Sequence, residues 1–290
     1  MVSTNTTHND YIIHAQNVVG FGNSQVVLAT SRVTGQDYAA KVMNLSGIQR
    51  KETLQAFYNE AQILKQLNSL QSPNIVELSC SSISNQIGFL IMEKMDGDLL
   101  DLILEEKLQL PQKLNIFKQI CYALKQCHDN GIAHLDIKPE NVLVSALGDS
   151  YIVKLADFGT SQMCQDRNTV YGVKGTLHYN APEVFFQSVD GLDGKKADMW
   201  SLGILLHVLL TGTWPIRTND PAEVRLLISK GKLHLSKELA PQHQQMLSML
   251  LSCNPQRRPS IDDFIETSFK TEKQCERKRE KRRNFFRRFA

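Results

Sequence analysis

Cysteine is scarce and unpatterned in this sequence. The six residues, at 80, 121, 127, 164, 253 and 275, form no C-x-x-C pair and no even ladder. A disulfide framework and a paired-cysteine zinc site are therefore excluded, and free thiols in a reducing compartment are expected. The first ten residues carry no basic-then-apolar leader, so no secretory signal is expected. Apolar runs are short as well. The longest, 202–210, is broken by His207 and falls far below the roughly 20 residues that span a bilayer. These absences predict an intracellular, cytoplasmic protein with no transmembrane segment. Net charge is small too, +3 over 290 residues, but unevenly placed. Residues 270–290 hold ten Lys/Arg against three Glu, a balance of +7, which leaves −4 on the body. With 42% hydrophobic and 22% charged residues, a disordered chain and a collagen-like fibre are ruled out.

The periodicities divide the body in two. Residues 1–10 read as a loose, disordered tail. From 11 to about 45, β-branched and apolar residues alternate between glycine turns, which predicts three short strands. Leu54, Phe57, Ala61, Leu64 and Leu67 recur at spacings of three and four, so 51–68 is an amphipathic helix. Two strand-like runs follow at 75–80 and 88–92. Residues 112–130 are again helical and end at Asn130-Gly131, a C-terminal cap pattern. A loop-rich centre spans 131–183, and 197–270 reads as several helices separated by Pro and Gly. A strand-rich first third and helix-rich remainder imply an α+β molecule of two lobes with a cleft between them.

The residues able to carry chemistry cluster at that centre. His134-Leu135-Asp136-Ile137-Lys138-Pro139-Glu140-Asn141 is followed by Val142-Leu143-Val144, then Asp157-Phe158-Gly159, then Ala181-Pro182-Glu183. Upstream stand Gly20-Phe21-Gly22 and Tyr38-Ala39-Ala40-Lys41. Each tripeptide alone means little, and an isolated loop Asp or Asn usually caps a turn. In this order and spacing the series resembles the eukaryotic protein kinase family, over about residues 11–269. The resemblance implies a two-lobed kinase fold: a small antiparallel sheet lobe with one helix (11–92), a hinge (93–95) and a larger, mainly helical lobe (96–269).

It also implies the roles of the residues. Phosphoryl transfer needs positioned phosphates, neutralised charge and an oriented hydroxyl. Asp136 would orient or accept the substrate hydroxyl proton, and Lys138 would balance charge on the transferred group. Asn141 and Asp157 offer the hard oxygen ligands that suit Mg²⁺, with Mn²⁺ as a substitute. Lys41 would hold the ATP phosphates and Glu60 would position Lys41. Gly20 and Gly22 would let backbone N–H groups approach phosphate. Val27, Ala39 and Leu143 would sandwich adenine, Met92 would guard the back of its pocket, and Glu93, Lys94 and Met95 would form the hinge. Leu64, Leu78, His134 and Phe158 match the apolar stack that links the lobes. Asp198 would hold the catalytic loop, and Glu183 would pair with Arg258 structurally. Thr176 beside Lys138 argues for Ser/Thr over Tyr substrates, and Glu140 and Asp98 sit where some kinases hold basic substrate residues.

Two departures stand out. Gln25 occupies the place of the third glycine of the loop. Leu135 replaces the arginine that normally contacts an activation-loop phosphate, and leucine cannot form that charge-assisted bond. Control by a phosphate docked there is disfavoured, although Thr169 and Tyr171 remain modifiable. His-Leu-Asp is also similar to the myosin light-chain and death-associated branch of the calmodulin-regulated kinases. The main expectation is an active Ser/Thr protein kinase using ATP. The alternative is a nucleotide-binding pseudokinase or scaffold. For the basic tail three readings stay open: a solvated extension, a patch for an anionic surface such as membrane or nucleic acid (with nuclear or membrane-peripheral placement), and a target helix for a calmodulin-like regulator.

Overall fold

The computed structural model describes residues 6–8, 10–21, 25–47, 50–187 and 189–269. Gly22 and the whole of the basic tail, 270–290, lie outside the described residues. Strands β1 (Thr6–His8), β2 (Tyr11–Phe21), β3 (Gln25–Ser31), β4 (Asp37–Asn44), β5 (Leu78–Ser84) and β6 (Ile87–Glu93) form one antiparallel sheet in the order β1-β2-β3-β4-β6-β5. β1 falls inside the stretch read as a loose tail. Its three residues pair with Ile13, Ile12 and Tyr11, a run too short to show alternation in the sequence. β2 is long rather than short, and its pairing with β3 shifts register between His14 and Gly20.

Helix α1 (Arg50–Asn68) lies across one face of this sheet. Leu45, Phe57, Ala61 and Leu90 form a buried cluster beneath it. The opposite face buries Ile13, Val27, Ala29, Ala40, Phe89 and Ile91. Strand alternation assigns these faces: Lys41 pairs with Leu90 and Ala39 with Met92 on the α1 side, while Ala40 pairs with Ile91 on the other. Gly88 marks the tightest contact. A Cβ there would stand 2.7 Å from Phe57 Cδ2, so only glycine lets α1 settle this close to the sheet.

The second lobe is built on helices. After β7 (Gly97–Asp98) come α2 (Leu99–Leu104) and α3 (Leu110–Asp129), then β8 (Ile132–Ala133), β9 (Val142–Leu147), β10 (Ser150–Leu155), β11 (Gln162–Met163), β12 (Thr169–Val170) and β13 (Leu192–Asp193). Helices α4 (Gly194–Thr211), α5 (Pro221–Ser229), α6 (Pro241–Leu250) and α7 (261–269) complete it. α3 starts with a Gln109/Gln112 capping box and ends at Asn130 followed by Gly131 at φ +70°. α4 is apolar on every side and correspondingly enclosed, the pattern of a central core helix. Gly203 lets α6 cross it closely, since a Cβ there would meet Leu250 and Leu251 at 2.8 Å.

Arg258 ties this lobe together from a fully enclosed position. Its guanidinium grips Glu183 through both oxygens, at 2.6 and 2.9 Å, and donates to the Lys196 carbonyl at 2.7 Å. It also lies over the Trp200 ring, 5.2 Å from its centroid. None of the described helices is long and apolar enough to cross a membrane. For Gly88→Ala, overpacking against Phe57 is expected to destabilise the fold by about 1–3 kcal/mol. Thermal unfolding measures this, and an unchanged Tm would show that α1 does not depend on this approach.

Candidate active site

The loop after β8 is shaped by one carboxylate. Asp198, at the start of α4 and fully buried, accepts backbone N–H bonds from His134 at 2.8 Å and from Leu135 at 2.7 Å. His128 Nε2, from α3, donates to the same carboxylate at 2.9 Å. These bonds hold Leu135 in the left-handed region, φ +66°, which a leucine enters only under constraint. The turn presents Asp136 to the cleft while the Leu135 side chain packs into the core. His134 Nε2 donates to the Ala156 carbonyl at 3.0 Å, so its Nδ1 accepts from Asp136 N–H at 3.3 Å.

Three predicted residues converge at the Asp136 carboxylate. Thr176 Oγ1 donates to Oδ1 at 2.6 Å, Asn141 Nδ2 donates to Oδ2 at 3.0 Å, and Lys138 Nζ lies 2.9 Å from Oδ2. Lys138 Nζ also donates to Thr176 Oγ1 at 2.8 Å. Asn141 Nδ2 spends its other proton on the Asp136 carbonyl at 2.8 Å. Its amide nitrogen is thereby oriented, and its oxygen is the end left to face a cation.

Across the cleft, Lys41 Nζ reaches both oxygens of Glu60 at 2.8 Å and Asp157 Oδ1 at 2.6 Å. Burial alone would depress the Lys41 ammonium; Glu60 and Asp157 outweigh it and hold it above its ordinary value. Burial would likewise raise Asp157, yet Lys41 prevails and holds that carboxyl below the usual range. Asp157 sits at φ +57°, and the following Phe158 is fully buried, edge-on to His134 at 4.9 Å between centroids. Phe158 shares one buried apolar cluster with Leu64 from the other lobe, and the half-buried Leu78 packs against it. A Cβ on Gly159 would lie 3.2 Å from Asp157 Oδ1 and 3.3 Å from Glu60 Oε2, so glycine there leaves the ion cluster room. Asn59, beside Glu60, donates to the Ser161 carbonyl at 2.8 Å and ties α1 to the same segment.

Ala39 and Met92 lie opposite one another on the cleft side of the sheet, and Leu143 stands below on β9. Glu93 ends β6, with its side chain turned to Lys154 at 2.6 Å. Met95 follows in the connection to β7, its sulfur meeting Ser145 Oγ. Gly20 is on β2, and a Cβ there would sit over Val26 at 3.7 Å. Val27 does not line the cleft. It pairs with Ala40 and is buried in the far-face cluster, whereas Val26 pairs with Lys41 and is half-exposed on the cleft side. The reason is register: a one-residue difference in strand position exchanges the faces. Counting back two positions from Val26 also places Ser24, rather than Gln25, where the third glycine was expected, and Ser24 lies outside the described residues.

The model of the protein kinase domain matches residues 13–270. The chain belongs to the protein kinase family. It is 34% identical over 263 residues to "Serine/threonine-protein kinase D3" of Mus musculus, covering 88% of this chain and 29% of that one. Against "Serine/threonine-protein kinase D2" of Homo sapiens it is 38% identical over 214 residues, 72% of this chain and 24% of the other. "CBL-interacting protein kinase 21" of Oryza sativa subsp. japonica shares 34% over 242 residues, 82% of this chain and 45% of the other. The chain therefore spans less than half the length of these relatives. Kinase family membership carries with it ATP, a divalent metal and protein substrates, in keeping with the oxygen donors assembled here.

Sequence reading placed the Asp136, Lys41 and Asp157 constellations together, and it missed Val26, His128 and the glutamines that hold the segment after Asp157. The hydrogen-bond ladder from the Thr34-Gly35 turn onward would have shown Val26, since it sets the register without reference to the glycines. Val26→Ala is expected to raise the KM for ATP about three- to tenfold, from roughly 0.8 kcal/mol per lost CH₂-sized contact. Val27→Ala should instead lower Tm, by about 1–3 kcal/mol of stability, with KM unchanged. The reverse pattern in steady-state kinetics and melting would overturn the assignment.

Proposed function

We propose that this chain transfers the γ-phosphoryl group of ATP to Ser/Thr hydroxyls of protein substrates. The observation that carries the reading is the Asp136 carboxylate. It is held by Asn141 and Lys138 on one oxygen and carries an aliphatic hydroxyl, that of Thr176, on the other. A carboxylate so fixed can orient an incoming hydroxyl and take its proton. Lys138 offsets charge on the moving phosphoryl group, and Lys41, steadied by Glu60, receives the nucleotide phosphates. Gly20 and Gly22 let the loop backbone close over those phosphates, and Val26, Ala39, Met92, Leu143 and the 93–95 connection enclose adenine.

Asp157 and Asn141 together supply a carboxylate and an amide oxygen, a donor set that fits Mg²⁺ completed by phosphate oxygens. Mg²⁺ held there would neutralise phosphate charge. Asp157 is also the carboxyl kept ionised by Lys41, which suits it to the task. A preference for basic residues in the substrate is supported by Glu140, whose Oε2 has no hydrogen-bond partner among the described residues. A cation delivered by a substrate would satisfy it. Asp98 is a weaker candidate, because its carboxylate caps α2 through Asp101 N–H at 3.0 Å. For the tail, the +7 balance and three phenylalanines support an anionic surface as partner.

Purified protein with labelled ATP, Mg²⁺ and a basic protein substrate is expected to transfer label to Ser/Thr. Asp136→Asn should reduce that rate by about 10²–10⁴ with little change in Tm. No transfer above that control would sink the enzyme reading and favour a nucleotide-binding scaffold.

A further inference from the structure

The segment that brings Thr176 to Asp136 is bound down by neutral side-chain amides. Gln162, on β11, grips the backbone of Tyr171 from both sides. Tyr171 N–H donates to Gln162 Oε1 at 3.1 Å, and Gln162 Nε2 donates to the Tyr171 carbonyl at 2.7 Å. Gln187 does the same to Val173. Val173 N–H donates to its Oε1 at 2.8 Å, and its Nε2 donates to the Val173 carbonyl at 2.6 Å. The Gln187 amide also reaches the Val184 carbonyl at 2.9 Å. A third amide, Asn180 Nδ2, donates to the Lys174 carbonyl at 2.9 Å. A carboxamide used in this way reproduces the donor–acceptor pair that a neighbouring strand would offer.

Each clamp is rooted in an element already fixed. Gln162 belongs to β11, which pairs with β8 just before the catalytic loop. Gln187 follows the turn Pro182–Phe186, whose Glu183 is locked to Arg258. The clamped residues flank Gly172, at φ +59°, and lead into Gly175, at φ +50°. A Cβ on Gly175 would fall 2.1 Å from Asn180 Oδ1. The next residue is Thr176, on Asp136. Leu135, where an arginine would meet a phosphate, is instead buried in the apolar core.

We propose that Gln162 and Gln187 are positioning residues that hold the catalytic segment in its working arrangement without a phosphate. Neutral amide–backbone pairing replaces the ionic contact that Leu135 cannot make. This rests on the kinase reading above, so the test has one arm that does not use activity.

The variants are Gln162→Met and Gln187→Met, singly and together, which keep side-chain size and remove the amide. In the double variant, trypsin should cut after Arg167 and Lys174 about tenfold faster than in phosphatase-treated wild-type protein. The kcat/KM for a protein substrate should fall about tenfold, while the KM for ATP and Tm stay near wild type. Phosphatase-treated wild-type protein should keep its full rate. Equal cleavage rates in variant and wild type would overturn the proposal, whatever the activity. So would loss of activity on phosphatase treatment that phosphorylation of Thr169 or Tyr171 restores. Wild-type protein that shows the cleavage difference but transfers no phosphate would leave the clamps standing and refute the kinase reading.

Discussion

A single buried carboxylate, Asp198, decides the geometry of this molecule's working part. It offers acceptors to two consecutive backbone N–H groups and to a histidine ring. A charge taken out of water is tolerable only when its lone pairs are met in this way. The return is a backbone turn that no propensity would favour, with a leucine in the left-handed region and the next residue aimed into the cleft. Because Asp198 stands on the most deeply packed helix, the catalytic loop inherits the rigidity of the core. The same logic recurs at Arg258, where an enclosed guanidinium anchors the far end of the segment.

The two lobes meet through charge on one side and rings on the other. Lys41 leaves the sheet to join Glu60 of α1 and Asp157 of the other lobe, while Phe158 packs against His134. The Lys41–Asp157 bridge needs both lobes, and Phe158 shares its buried cluster with Leu64 of α1. Glycine makes the approach of α1 and its ion cluster possible, by absence rather than by flexibility. Gly88 lets α1 approach the sheet, and Gly159 leaves the ion cluster unobstructed.

Most of the fold and the centre of the site were legible in the sequence, for a physical reason. Asp136, Lys138, Asn141 and Asp157 act through short, local spacing that the chain displays directly, and α1 and α3 announce themselves by a regular apolar stripe. What stayed hidden depended on partners far away in sequence. The sequence points to Val27 as a cleft residue because a count from the glycines assumes a loop length. The ladder with β4 fixes the register instead, and one residue of slip reverses every side chain. β1 escaped because three residues cannot display a period. The hold of Gln162 and Gln187 on the backbone leaves no mark in composition, since a glutamine outside the core ordinarily faces water.

The ionised side chains that converge on the cleft are unevenly balanced. Lys41 and Lys138 face Glu60, Asp136 and Asp157, two positive charges against three negative. In a partly enclosed site such an imbalance is felt more strongly than in water. A bare polyphosphate arriving here meets a surface already short of positive charge. The cleft is thus electrostatically selective for the form of its ligand: a nucleotide whose charge is already partly neutralised by a cation is the one it is built to admit.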